Sequence, residues 1–346
     1  MEIESKEPWG SYMNVAINGF GRVGKQILKV LLADYPEVNV VQINELAPLE
    51  TSAFLLKHDS VYGSYPQSVR VEDDFLKIGN KRIKMTHEKD IENLSWDPSV
   101  ELIIEATGVF TKRELASKHL KGNVRQVVIT APSSNADLMV VMGVNENEFD
   151  VTKHQVISNA SCTTNSLAPV AKVLHSHFHI QYGFMTTVHS YTADQKLVDA
   201  PHKDLRRARA AAESIIPTTT GAAAAVGIVI PDLKGKLTGI ALRVPTPTVS
   251  ITDFVCHVEK VVTKEQVNTV LQEASENSLK GILGYSEEPL VSKDYVQNPY
   301  SGIVDSLSTD VIGDHMIKIL SWYDNEWGYS TRIAQLVDYV RLQMNQ

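Results

Sequence analysis

Asn14-Val15-Ala16-Ile17-Asn18-Gly19-Phe20-Gly21-Arg22-Val23-Gly24 is an apolar strand that breaks into glycines and then into apolar residues at helical spacing, Val23, Ile27, Val30 and Leu31. Strand, glycine turn and helix in that order open a dinucleotide-binding unit. Gly19 serves the tight bend, Gly21 the close approach of a pyrophosphate to the backbone, and Gly24 the packing of helix on strand. The helix N-terminus then faces the phosphates. Candidate cofactor contacts in this turn are Gly19, Gly21, Arg22, Val23 and Gly24. Such a glycine pattern is weak alone, and its surroundings give it weight.

A second strand is expected over residues 38 to 44 and ends at Glu45, about twenty residues beyond the glycines. A carboxylate in that register accepts both hydroxyls of the adenosine ribose and repels a 2'-phosphate. Taken singly, Glu45 would read as a solvated loop residue, but in this register it does not. Strand patterns recur at 102 to 107 and 126 to 130, with a helical stretch near 111 to 120 between them. Alternating strands and helices predict an α/β fold, a doubly wound Rossmann-type parallel sheet over residues 14 to 161. After residue 162 the texture changes. A helix near 163 to 177 leads to strands around 184 to 191, 237 to 244 and 249 to 259, with an irregular stretch from 192 to 217 between. This predicts a second, antiparallel α+β domain over 162 to 326, whose long loop is functional or an interface. A last helix, about 327 to 346, is expected to pack back on the first domain. Residues 1 to 13 have no period and read as an extension.

The 346 residues are 43% hydrophobic and 21% charged, with a formal charge of −8, and the sequence pI is about 5.8. That balance argues against a nucleic-acid partner or an anionic membrane surface. No stretch has the apolar length of a bilayer span, and the acidic start is no secretion signal, so the expectation is a cytoplasmic protein. Two cysteines, Cys162 and Cys256, are too few for a disulfide framework, and no metal site is expected.

Cys162 lies in Ser158-Asn159-Ala160-Ser161-Cys162-Thr163-Thr164-Asn165, where a strand gives way to a helix. A helix N-terminus stabilises a thiolate, which makes Cys162 a candidate nucleophile. By residue type alone it is also a buried structural cysteine. His189 closes an apolar strand, where a histidine is often a satisfied core residue.

Several motifs coincide in order and spacing from about residue 13 to 345. They are Ala-Ile-Asn-Gly-Phe-Gly-Arg-Val-Gly, Ser-Asn-Ala-Ser-Cys-Thr-Thr-Asn, Thr-Val-His-Ser-Tyr-Thr, Asp-Leu-Arg-Arg-Ala-Arg-Ala-Ala, Pro-Thr-Thr-Thr-Gly-Ala-Ala, Leu-Arg-Val-Pro and Trp-Tyr-Asp-Asn-Glu-Trp-Gly-Tyr. In these the chain resembles the phosphorylating glyceraldehyde-3-phosphate dehydrogenases. The resemblance implies NAD-dependent oxidation of glyceraldehyde 3-phosphate, with inorganic phosphate, to 1,3-bisphosphoglycerate through a cysteine thioester, and a homotetramer. It makes Cys162 the nucleophile and His189 its base. It gives the substrate's C3 phosphate to Thr192 and Arg243, and inorganic phosphate to Ser161, Thr163, Thr220 and Gly221, with Arg207 among the phosphate contacts. Asn325 becomes the anchor of the nicotinamide carboxamide, with Tyr329 packed nearby, and Lys89 and Thr130 lie near the cofactor. The sister erythrose-4-phosphate dehydrogenases share the Asn44-Glu45 pair, but Thr192 and the 218 to 221 run resemble the phosphorylating enzyme. A non-catalytic NAD-binding protein would need no nucleophile, base and anchor together.

The chain also departs from that family. Glu45 stands where many members have Asp, Ala200 where NAD-only members have Leu, Ser166 where many have a second Cys, and Ala224 in place of a common Lys.

Overall fold

The computed structural model describes residues 12 to 345. Its first body is a nine-stranded sheet. From one edge run Leu138–Met139, Val156–Ser158, Gln126–Ile129, Leu102–Glu105, Met13–Asn18, Val38–Asn44 and Lys81–Thr86, all parallel. Phe75–Ile78 and Val69–Glu72 close the other edge as an antiparallel meander. From Met13–Asn18 the chain moves outward to Val38–Asn44 and later returns to the opposite side at Leu102–Glu105. This reversal opens a crevice at the carboxyl ends of the central strands. The first strand begins at Met13, which is buried and pairs with Val38, so the expected extension is one residue shorter. Residues 1 to 11 of that extension lie outside the described residues.

The helical stretch expected near 111 to 120 is a single turn, Arg113–Ala116, tightened into a 3-10 turn, Ser117–His119. The tightening carries His119 into the core, where its Nε2 lies 2.9 Å from Glu105 Oε2.

The second body is a seven-stranded sheet in the order Ile216–Thr219, Leu237–Val244, Ile180–Ser190, Ser250–Val258, Met316–Tyr323, Gly302–Ile312, Leu283–Ser286. Most neighbours are antiparallel, as expected, but Ile180–Ser190 runs parallel to Leu237–Val244, and Leu283–Ser286 parallel to Gly302–Ile312. Parallel return requires a crossover. The long segment after Ser190, which includes the helix Ala222–Val229, provides the first one. Met185, Phe254, Ile317 and Ile319 point to the face packed against helix Cys162–Phe178 and its neighbours. The other face presents Phe184, 68% exposed, and Ile240, 49% exposed.

Helix Cys162–Phe178 starts where Ser161 Oγ accepts from Thr164 N at 3.1 Å, an N-cap that satisfies one of the orphan amides. Leu167, Val170, Ala171, Leu174 and Phe178 recur at helical spacing and are buried. The terminal helix, Trp327–Met344, buries Ile333, Leu336, Val337 and Val340 in the same core as Ile27 and Leu31 of helix Arg22–Asp34. It therefore packs on the first sheet and carries Tyr329 and the preceding Asn325 to the junction between the two sheets.

Candidate active site

The strand Val156–Ser158 belongs to the first sheet, and the helix that covers the second begins four residues later, at Cys162. The turn between them is held by all three of its carbonyls. Asn165 Nδ2 donates to Asn159 O at 2.8 Å and to Ser161 O at 3.0 Å, and Tyr329 OH donates to Ala160 O at 2.9 Å. Ala160 takes a φ of +56°, a conformation that needs such support in a residue with a Cβ. Tyr329 thus braces the turn that presents Cys162.

Cys162 Sγ lies 3.4 Å from His189 Nε2. His189 sits at the end of Ile180–Ser190, in register with Arg243 on the parallel neighbour. Its Nδ1 is 2.7 Å from Ser190 O, and Arg243 Nη1 approaches the same Nδ1 at 2.7 Å and donates to Ser190 O at 3.0 Å. Burial, and after it the charge of Arg243, holds the His189 imidazole down at about 3. Burial pushes the Cys162 thiol up, against the opposing pull of Arg243 and of Thr163. Sγ and Nε2 therefore share one proton across this contact. A proton can pass from Sγ to Nε2 when attack begins.

Of the residues expected to handle phosphate, Arg243 lies beside the pair, and its buried Nε has no hydrogen-bond partner. A buried guanidinium N–H without an acceptor fits an incoming phosphate oxygen. Ser161 is the N-cap, and its hydroxyl also meets Thr164 Oγ1 at 2.8 Å. Thr163 points inward, with its hydroxyl 2.9 Å from Tyr323 OH, which also meets Thr187 Oγ1 at 2.8 Å. Thr192 donates to Asp194 Oδ1 at 2.7 Å, and Arg207 donates to Asp194 Oδ2 at 2.6 Å and to Thr218 Oγ1 at 3.0 Å. Asp194 thus binds both Thr192 and Arg207. Thr220 Oγ1 accepts from Ala222 N at 3.2 Å, and Gly221 precedes helix Ala222–Val229 with open space where a side chain would be.

At the carboxyl ends of the first sheet lies a cavity of about 380 Å³, lined among others by Gly19, Gly21, Glu45, Lys89, Thr107 and Phe110. A Cβ on Gly19, whose φ is +95°, would lie 2.7 Å from Thr107 N, and one on Gly24 would lie 2.3 Å from Gly19 O. Nothing lies within 4 Å of a Cβ placed on Gly21. The first two glycines pack the turn, and the third leaves a bare cradle at the helix start, which fits a dinucleotide pyrophosphate. Gly24→Ala is therefore expected to cost about 1 to 3 kcal/mol by overpacking, read as a lowered midpoint of denaturation. Gly21→Ala is expected to leave that midpoint in place and to weaken NAD binding in titrations.

Glu45 lines the cavity and also closes the turn. Its Oε2 accepts from Phe20 N at 2.6 Å and its Oε1 from Ala47 N at 3.1 Å. Arg22 supplies the first residue of the helix, but its side chain turns away to Asp59 at 2.9 Å and to Glu326 at 2.5 Å. Val23 packs on the first core. Lys89 is exposed at the cavity wall, and Thr130, just past its strand, donates its amide to Glu105 O at 3.0 Å outside that lining. Asn325 is buried, and its Oδ1 accepts from Ser250 Oγ at 2.9 Å. The departures are mild. Ser166 Oγ joins a buried hydroxyl group with Thr252 Oγ1 at 3.1 Å, Ala200 N is bonded to Ala208 O, and Ala224 is exposed on its helix. Nothing in the structure explains Ala224.

Sequence reasoning missed Asn165, Tyr323, Asp194 and Ser250. Asn165 and Tyr323 stand within quoted motifs, whereas Asp194 and Ser250 carry no local pattern.

Two family models match the chain. The one described as glyceraldehyde 3-phosphate dehydrogenase, NAD binding domain, matches residues 13–113, and the one described as glyceraldehyde 3-phosphate dehydrogenase, C-terminal domain, matches residues 161–325. A glyceraldehyde-3-phosphate dehydrogenase of Geobacillus stearothermophilus is 55% identical over 329 residues, 95% of this chain and 98% of the relative. Glyceraldehyde-3-phosphate dehydrogenase 1 of Bacillus subtilis is 54% identical over 329 residues, with the same shares of both chains. Glyceraldehyde-3-phosphate dehydrogenase 2 of a Nostoc species is 51% identical over 331 residues, 95% of this chain and 98% of the relative.

Proposed function

This chain belongs to the glyceraldehyde-3-phosphate dehydrogenase family and is an NAD-dependent enzyme of that activity; on that premise we propose that Cys162 is its nucleophile and His189 its acid–base. The observation that carries the assignment is the 3.4 Å approach of Sγ to Nε2 at a helix N-terminus, beside Arg243.

In this reading Nε2 takes the Sγ proton as sulfur attacks the aldehyde carbon, then passes it to the carbonyl oxygen, so the hemithioacetal forms with no net gain of protons. The oxyanion on the way is stabilised by His189 and the Cys162 backbone N–H, an amide the helix leaves unpaired. In the oxidation His189 removes the hydroxyl proton and a Cys162 thioester remains. NAD, held by the Gly19–Gly24 turn, Glu45 and Asn325, supplies the hydride acceptor. Inorganic phosphate then attacks the thioester carbon and the Cys162 thiolate leaves. Arg243 and Thr192 hold the substrate's own phosphate, while Ser161, Thr163, Thr220 and Gly221 serve the attacking one, with Arg207 among the phosphate contacts. Thr192 and Arg207 reach phosphate by releasing Asp194, and Arg243 through its partnerless Nε.

We assign the working parts to residues 13–161 with the terminal helix Trp327–Met344, which hold cofactor, and to residues 162–326, which carry the chemistry. A cytoplasmic homotetramer is proposed. Its support is the exposed apolar surface, Leu197 at 84%, Leu205 at 81% and Ile215 at 68% in the long loop, and Phe184 and Ile240 on the open sheet face. No helix among the described residues is long and apolar enough to cross a membrane.

Rapid mixing of enzyme, NAD and glyceraldehyde 3-phosphate without phosphate tests the mechanism. A burst of NADH near one per subunit followed by a stall, released by added phosphate, is expected. Steady turnover without phosphate, or with erythrose 4-phosphate preferred, would sink it.

Cofactor choice follows from Glu45. A 2'-phosphate would meet its carboxylate, and two unit charges at about 4 Å repel by roughly 4 kcal/mol at an effective dielectric of about 20. Ala200 stands outside the lining of the cofactor cavity and offers that phosphate no compensating partner. A clear preference for NAD with residual NADP use is expected. In Glu45→Ala the ratio of kcat/KM values should move toward NADP by at least about tenfold, or about 1.4 kcal/mol. NADP equal to NAD in the unmutated enzyme would overturn this.

A further inference from the structure

Between the base and the cofactor anchor stands one hydroxyl with no role so far. Ser250 opens the strand Ser250–Val258 and is buried. Its Oγ accepts from Ser190 N at 3.1 Å and donates to Asn325 Oδ1 at 2.9 Å. Ser190 is also the residue whose carbonyl lies 2.7 Å from His189 Nδ1. His189 and Asn325 are thus tied to one another through Ser190 and Ser250.

The chemistry of the hydroxyl gives this tie a direction. A serine oxygen accepts at its lone pairs but owns a single proton. The Ser190 amide can only donate to it, and among the described residues the one acceptor that the Ser250 proton meets is Asn325 Oδ1. The two ends of an asparagine amide are alike in shape and are told apart by hydrogen bonding alone. With Oδ1 fixed on Ser250, Nδ2 is turned the other way, and no hydrogen bond holds it among the described residues.

The backbone spends strain on this placement. Val249, immediately before, has a φ of +67°, where a β-branched residue is a clear outlier. It is held there by burial and by Ser190 Oγ, which donates to Val249 O at 2.8 Å. Strained residues of this kind cluster where a side chain must be aimed. Ser190 therefore grips both Val249, through its side chain, and Ser250, through its amide.

We propose that Ser250 is a positioning residue that sets the amide of Asn325, with its NH2 group toward the nicotinamide carboxamide, and so fixes which face of the nicotinamide ring meets the substrate. The proposal rests on the reading of Asn325 as the nicotinamide anchor. Ser250 acts through Asn325 and touches neither substrate nor the reacting atoms.

The test compares Ser250→Ala, Ser250→Thr, Asn325→Ala and the double variant Ser250→Ala/Asn325→Ala in the full-length enzyme. NAD dissociation constants are measured, and glyceraldehyde 3-phosphate deuterated at C1 is oxidised so that the deuterium can be located on either face of C4 in the NADH formed. In Ser250→Ala the NAD dissociation constant should rise about tenfold. Deuterium should then appear on both faces, whereas Ser250→Thr, which keeps the hydroxyl, should restore a single face. The double variant should bind NAD no more weakly than Asn325→Ala alone, because the two residues act as a unit. Deuterium on one face only in Ser250→Ala with unchanged NAD affinity overturns the proposal, as does a double variant in which the two losses add. Should Ser250→Ala fail to fold, Ser250→Cys, with a weak donor of similar size, is read in the same way. An Asn325→Ala enzyme with unchanged NAD affinity would instead remove the anchor on which the inference stands.

Discussion

Cys162→Ser is expected to yield a folded protein that binds NAD and oxidises no measurable glyceraldehyde 3-phosphate. His189 is a weak base, held at about 3 by burial and by Arg243. It can take a proton from a thiol that is forming a bond to carbon, but an alcohol is far less acidic and far less nucleophilic. The loss should reach roughly six orders of magnitude, the scale on which removing a nucleophile acts. NAD binding should persist because the cofactor cavity is built from residues 18 to 110, on the other sheet from the helix that Cys162 begins. Calorimetric NAD titration, paired with the rapid-mixing burst, separates the two effects. A surviving burst in Cys162→Ser would remove Cys162 from the centre of the mechanism. Lost NAD binding would mean that the thiol also holds the cofactor pocket together.

The parts of this site that could be read from sequence are those whose chemistry is local. The glycine turn is written within eleven residues, and Gly19, Gly21 and Gly24 divide their labour as that pattern requires. Cys162 likewise stands at the change from strand to helix that residues 158 to 165 announce. The pairing of Cys162 with His189 is of another kind. It joins a helix start to a strand end 27 residues later, and no periodicity encodes that distance. Resemblance put them together in the sequence, and the fold accounts for it by packing helix Cys162–Phe178 on the sheet that carries Ile180–Ser190. The braces of the site were the least legible. Asn165, Tyr329, Tyr323 and Ser250 act through hydrogen bonds that span as many as 169 residues, as Tyr329 to Ala160 does. A buried tyrosine or serine looks like ordinary core in the sequence, because what matters is the direction of one O–H. The parallel pairs of the second sheet were missed for a related reason. Strand patterning records which face is buried but not the direction of the neighbouring strand.

His189→Asn is expected to lower kcat by roughly 100-fold or more, about 2.7 kcal/mol, while KM for glyceraldehyde 3-phosphate changes little. The imidazole is buried against Tyr323 and bonded to Ser190 O, and in the proposed mechanism it meets the reacting atoms and not the distal phosphate. The thiol should respond as well. Burial already pushes Cys162 up, and a lost imidazole partner at Nε2 leaves a thiolate with less support. Alkylation of cofactor-free enzyme by iodoacetamide should therefore need a higher pH in His189→Asn than in wild type. The same histidine leaves a mark on stability. Its folded-state pKa, about 3, lies below the ordinary value near 6.5, so the unfolded chain binds the extra proton between those values. The stability that a neutral His189 contributes is complete above about 6.5 and is lost as pH falls toward 3. On moving from pH 7 to pH 5, His189→Asn should accordingly lose less of its urea midpoint than wild type. If instead only KM changed, with kcat and the alkylation profile intact, His189 would be a binding residue, and the proton would have to leave Cys162 by another route.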